Sequence, residues 1–208
     1  MGQYYRALTK TGNGKLNAFD RSVIVNGEPE YTPAKLTEHS WFFNQFVNAL
    51  CEQIYNAPKP THVIWMGDYA TQFECYWEQD FNGLTKRKIR DYHKFVWDHQ
   101  SPKSVEGTDF TLSGKYLINH SKNEYINGST YYENNVMEKL PNGYGWCLHP
   151  LPILTCIGNG LGGGDYTYHT DDSTIDYIGS WAWDELEISD TAPDSYTELH
   201  LIFKEKGW

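Results

Sequence analysis

The residues best equipped for chemistry lie between Leu148 and Asp172. Gly158-Asn159-Gly160-Leu161-Gly162-Gly163-Gly164 runs directly into Asp165, Tyr166, Tyr168, His169, Asp171 and Asp172. Five of the first seven residues are glycine, and ordering them costs more backbone entropy than ordering any other residue type. Two reasons can offset that cost: close approach of the backbone to a ligand, or a chain of tight turns with positive φ. On the first reading, the N–H groups of Gly160, Gly162, Gly163 and Gly164 form a cradle for a phosphate or carboxylate. The run is no P-loop, because no Lys-Ser/Thr follows it. It matches GxGxxG literally, but the polar stretch after Asp165 does not read as the helix a dinucleotide fold requires.

A second Gly-Asp turn, Gly67-Asp68-Tyr69, ends the apolar run His62 to Met66. The leading expectation is one pocket built by both turns. Asp68 and Asp165 stand at its rim, and Tyr69, Tyr166 and Trp181 supply aromatic walls. Aromatic faces beside backbone donors suit a small anionic, nucleotide-like ligand, since stacking contributes roughly 1–3 kcal/mol per base. This predicts a binding module with neither catalysis nor cofactor. The plainer alternative is that Asp68 caps a turn and the glycines form a packed corner.

A different chemistry is a divalent metal site. Asp165, His169 and Asp171 are separated by even numbers of residues, so an extended segment points them to one side. With Asp68 or His149 from another element, they would suit a metal-bound water acting as hydrolytic nucleophile. A third class is a protein-binding inhibitor anchored by exposed aromatics. No HExxH or GxSxG occurs. Cys147 and His149 would share a side on a strand, yet Trp146, Leu148 and Pro150 around them favour packing over a nucleophilic pair.

Bulk properties narrow the partners. The formal charge of −10 disfavours sequence-independent binding to a nucleic-acid duplex, although Lys86-Arg87-Lys88-Ile89-Arg90 is locally basic. No run of 18 apolar residues occurs, and residues 1–10 lack the pattern of a secretory signal, which predicts a cytoplasmic protein that no membrane holds. Arg6 stands where a myristoylation motif needs Ser or Thr. The 4 cysteines have no CxxC spacing and read as buried free thiols. A length of 208 residues suits a single globular domain over 1–208, whose many aromatics can fill a core.

The elements that must position these residues follow from periodicity and turn chemistry. Gln3 to Leu8 reads as a strand, and Thr11-Gly12-Asn13-Gly14 turns it into a second strand, Lys15 to Phe19. Val23 to Val25 before Asn26-Gly27 repeats the signal. A helix opens at Thr37, with Thr37 or Ser40 as cap, and carries Trp41, Phe42, Phe46, Val47, Leu50, Cys51 and Ile54 on one face until Pro58. His62 to Met66 is a buried strand, and Leu84 to Trp97 a mixed-charge helix. Lys115 to Asn119 and Glu124 to Ile126 form a hairpin, and Tyr131 to Leu140 a short helix. Ile175 to Trp183 and Thr197 to Phe203 read as strands. Irregular interleaving with several hairpins predicts an α+β fold, a mainly antiparallel sheet packed by two or three helices.

Thr37-Glu38-His39-Ser40-Trp41, Trp65-x-Gly67-Asp68-Tyr69-Ala70, Asn119-His120-Ser121-Lys122-x-Glu124-Tyr125 and His149-Pro150-Leu151-Pro152 running into the glycine block together resemble a family of small uncharacterised bacterial and phage proteins. The resemblance implies a prokaryotic or phage setting, where such proteins often act as host-interaction or counter-defence factors. It implies no activity and no site residues.

Overall fold

The computed structural model describes residues 3–26, 28–71, 84–98, 103–104, 108–137, 146–158 and 173–203. Among them are strands β1 (Tyr5–Lys10), β2 (Leu16–Val25), β3 (Glu28–Thr32), β4 (Thr61–Gly67), β5 (Lys103–Ser104), β6 (Tyr116–Asn119), β7 (Glu124–Asn127), β8 (Cys156–Ile157), β9 (Glu185–Ser189) and β10 (Thr197–Glu198). The helices are α1 (Gln45–Tyr55), α2 (Lys86–Asp98), α3 (Gly128–Asn135) and α4 (Pro150–Thr155). The fold is α+β, as expected, with one mostly antiparallel sheet in the order β10-β7-β6-β9-β4-β1-β2-β3. Short β5 joins β2, and short β8 joins β4.

The alternation of β4 explains the layering. Val63 and Trp65 belong to one core with α1 and α4, whereas Ile64 and Met66 belong to a second core with α2. A strand presents successive side chains to opposite faces, so a run that is apolar throughout needs cover on both. On α1, Phe46, Val47, Leu50, Cys51 and Ile54 face the first core; on α2, Ile89 and Val96 face the second.

Four expected elements take other forms; one is the helix expected over Tyr131 to Leu140, which is α3 and ends at Asn135 because Val136 is extended, at ψ 123°. The first helix opens at Gln45, not Thr37, because Asn44 caps it by accepting from the amides of Phe46 (3.0 Å) and Val47 (3.2 Å). Upstream, the backbone is paired elsewhere: Phe42 N donates to Cys147 O at 2.8 Å, and His149 N to Ser40 O at 2.7 Å. Residues 40–42 cannot both make those bonds and continue a helix. The segment Ile175 to Trp183 is no strand; it is a 3-10 helix (Ser173–Tyr177) followed by turns, with Gly179 at φ 70° and Trp183 at φ 67°. The strand lies just beyond, in β9, where Leu186 and Ile188 enter the core and alternate with Glu185, Glu187 and Ser189.

Of the expected strand Thr197 to Phe203, only Thr197–Glu198 pairs, in parallel with β7. Leu201 and Phe203 still reach the core, but the Asn135 side chain takes over the hydrogen bonding that a neighbouring strand would supply. The hairpin signals hold. β1 and β2 pair from Ala7↔Phe19 to Lys10↔Leu16, and β6 and β7 from Tyr116↔Asn127 to Asn119↔Glu124.

Candidate functional site at the carboxyl ends of β4 and β8

The Gly67-Asp68-Tyr69 turn and the start of the glycine run are neighbours. β4 and β8 pair in parallel, Trp65↔Cys156 and Met66↔Ile157, so the next residues in step are Gly67 and Gly158. Gly160, Gly162, Gly163, Gly164, Asp165, Tyr166, His169 and Asp171 lie outside the described residues.

Gln3 explains why both strand ends are glycine. It is fully buried, and a Cβ on Gly67 would stand 2.8 Å from its Cδ, while one on Gly158 would stand 2.7 Å from its Oε1. The Tyr5 hydroxyl donates to that same Oε1 at 3.1 Å and crowds Gly158 as well. The carboxamide and phenol thus lie directly on the backbone. Gly158→Ala is expected to cost about 1–3 kcal/mol through overpacking, read from the urea midpoint. An unchanged midpoint would contradict this close packing.

Asp68 is held by the start of β1. Its N–H donates to Tyr4 O at 2.9 Å, and its Oδ1 accepts from Tyr4 N at 3.2 Å. Burial pushes its pKa above the ordinary carboxylate value, outweighing the amides of Tyr4, Asp68 and Tyr69 and the nearby His93, which pull it down. His93 of α2 donates from Nε2 to the Asp68 carbonyl at 2.9 Å. The turn is therefore rigidly seated between the two layers, with Tyr69 half-buried beside it.

Trp181, expected as an aromatic wall, is 0% exposed and lies within the first core. Its indole N–H donates to Glu124 Oε2 at 2.9 Å. That position is interior, not a face open to solvent.

His149 does not suit the metal role considered for it. It is fully buried and caps α4, its Nδ1 accepting from Leu151 N at 3.1 Å. Nε2 therefore carries the proton and meets Cys51 Sγ at 3.6 Å. Neither nitrogen has a lone pair left for a metal, and burial lowers the pKa to about 3. Cys51, four residues before the end of α1, is 98 residues away in sequence, and no local spacing signals the pair. Burial raises the Cys51 thiol pKa, so the pair stays neutral and forms no thiolate–imidazolium couple. Cys147 instead donates to Leu148 O at 3.4 Å, with its thiol pushed up to about 12. Cys51, Cys147 and Cys156 are buried, and Cys156 Sγ donates to Ile153 O at 3.2 Å; Cys75 lies outside the described residues. Among the described residues no three His, Cys, Asp or Glu side chains converge to hold a metal.

The Asn119 to Tyr125 motif is accounted for by packing against residues 180–187. Asn119 Nδ2 donates to the Asp184 carboxylate at 2.8 Å, and Lys122 reaches both Ser180 O and Asp184. Glu185 N donates to Ser121 Oγ at 2.9 Å, Glu124 accepts from Trp181, and His120 Nε2 lies 2.7 Å from Glu187. On α2, Lys86, Arg87, Lys88, Arg90 and Lys94 are exposed, and none forms an ion pair with a described residue.

Compared with known protein families, characterised proteins and solved structures, the chain matches none. The reading of the site therefore rests on its own geometry. No helix among the described residues is long and apolar enough to cross a membrane.

Proposed function

We propose that the protein is a small-molecule binding module whose ligand is anionic and nucleotide-like. The observation that supports this most is the parallel pairing of β4 with β8 in the register Met66↔Ile157. It sets Gly67-Asp68-Tyr69 beside the strand that enters the glycine run two residues before Gly160. The carboxyl ends of parallel strands are a recurrent position for ligands, and successive backbone N–H groups in a turn conformation can cradle an anion. In this reading the amides of Gly160, Gly162, Gly163 and Gly164 hold the anion, and Tyr69 and Tyr166 flank the planar part. With Asp68 held by Tyr4 and Trp181 interior, the specificity in this reading falls to backbone donors and the two tyrosines. A role in sequestering a nucleotide signal fits the resemblance to bacterial and phage proteins.

A panel of mononucleotides and cyclic nucleotides tests the proposal by thermal unfolding. A ligand at a hundred times its dissociation constant adds about 2.7 kcal/mol, which raises Tm by roughly 5–10 °C for a chain of this size. The shift should shrink in Gly162→Val. No shift with any member of the panel, or an equal shift in that variant, overturns the proposal.

A further inference from the structure

The amino end of β4, at the far end of the strand from Gly67, borders a separate polar cleft of about 280 Å³. Its walls are the β1–β2 turn (Lys10, Thr11, Gly12, Gly14), the α1–β4 linker (Lys59, Pro60), His62 and Glu185. Neither Lys10 nor Lys59 forms an ion pair with a described residue.

Both lysines are positioned. The Lys59 stem crosses Gly12 so closely that a Cβ there would stand 2.9 Å from Lys59 Cβ and 3.0 Å from its Cδ. Lys10 Nζ lies 5.9 Å from the centre of the Trp183 ring. Trp183 is in turn held in left-handed backbone at φ 67°, with its N–H on Val63 O and its carbonyl taking the His62 Nδ1–H, both at 2.8 Å. His62 stacks on the same ring at 5.1 Å, and its Nε2 makes no hydrogen bond to a described residue. The N–H groups of Gly12 and Asn13 make none either, because the turn is closed by Gly14 N to Thr11 O and by Lys15 N to Asn13 Oδ1.

We propose that this cleft is a binding site for a small phosphate-type oxyanion, such as a phosphomonoester or pyrophosphate group, held between the ammonium groups of Lys10 and Lys59. Two unpaired ammonium groups beside Gly12, which lines the cleft and whose amide is unused, are complementary to a compact, multiply charged oxyanion. The volume falls at the small end of ligand pockets, and the Glu185 carboxylate on the rim repels an extended polyanion. The site is independent of the one at the carboxyl ends of β4 and β8, and neither requires the other.

The test is a titration of the full chain with inorganic phosphate and with pyrophosphate, followed by amide chemical shifts at constant ionic strength. Saturable shifts at residues 10–14 and 59–62, leaving residues 67–69 unmoved, are expected. Lys10→Gln and Lys59→Gln should each weaken binding about tenfold, the usual consequence of losing a charge-assisted hydrogen bond. Gly12→Ala should weaken it too, by displacing Lys59 without altering charge. Shifts that do not saturate, that chloride reproduces, that are equally large on the lysines of α2, or that survive in the Lys10→Gln/Lys59→Gln double variant overturn the proposal. The spectrum of each variant shows directly whether it is folded.

Discussion

Arg6→Met is expected to destabilise the protein by about 3–5 kcal/mol at neutral pH, and by clearly less in mild acid. Asp20 is only 1% exposed, and its Oδ1 is 2.8 Å from Arg6 Nε. Its other oxygen, Oδ2, is buried without a hydrogen-bond partner among the described residues, and of these Arg6 is the group that compensates the charge. The guanidinium also lies 4.7 Å from the Trp97 ring centre and donates to Val96 O at 3.1 Å, which ties β1 and β2 to α2. Methionine keeps much of the apolar stem and removes the charge, leaving a buried carboxylate alone.

The pH dependence follows from Asp20. Burial raises its pKa above the ordinary carboxylate value even though Arg6, by charge and hydrogen bond, pulls it down. A carboxyl raised in the folded state contributes its stability below the unfolded pKa and loses it as pH climbs through the folded value. Without Arg6 that folded value rises further, so the penalty is largest at neutral pH and shrinks once Asp20 takes up a proton. Urea unfolding at pH 7 and pH 4.5, followed by tryptophan fluorescence, gives both numbers. Adding Asp20→Asn to Arg6→Met should recover most of the loss. A loss under about 1 kcal/mol at pH 7, or the same loss at both pH values, would refute this account. Asp68 and Asp184 are also raised, with burial as the first cause, and tilt the pH dependence of the wild-type protein in the same direction.

Asn135→Ala should cost about 3 kcal/mol or more and loosen the segment 199–203 selectively. The Asn135 carboxamide is fully buried. Its Nδ2 donates to Tyr131 O and to Leu201 O, both at 2.9 Å, and its Oδ1 accepts from Phe203 N at 2.6 Å. It acts as a substitute strand edge for backbone that has left the sheet. Alanine removes those partners from Leu201 O and Phe203 N inside the core, and each such buried group costs about 1–3 kcal/mol. Amide exchange at Phe203 should then accelerate far more than exchange at β4, whose amides lie within the sheet. A uniform acceleration across the chain, or a stability loss below about 1 kcal/mol, would show that Asn135 does not hold this segment.

Several candidate-site residues were legible because their evidence is local. Gly67-Asp68-Tyr69 follows an apolar run, and the structure places it at a strand end, seated against Tyr4 and His93. The Asn119 to Tyr125 motif was visible as a motif, but its meaning was not, since each partner sits some 60 residues away in the segment around Trp181 to Glu187. Cys51 and His149 are 98 residues apart, and no spacing rule joins such a pair. The alternation in Glu185 to Ser189 could have revealed β9, but the apolar residues before it invited a strand too early.

Sequence alone determined the α+β class, both hairpins, the buried strand β4 and the amphipathic helix α2, because turn residues and hydrophobic period act over a few neighbouring positions. Tertiary structure decided where α1 begins, that Leu148 to Ile157 contains a helix capped by His149, and that residues 173–183 turn back on themselves. It also decided that Gly67 and Gly158 end side by side. These outcomes hang on hydrogen bonds donated by His149 N to Ser40 O, by Trp183 N to Val63 O and by Trp181 N to Leu154 O, whose partners meet only after the chain has folded.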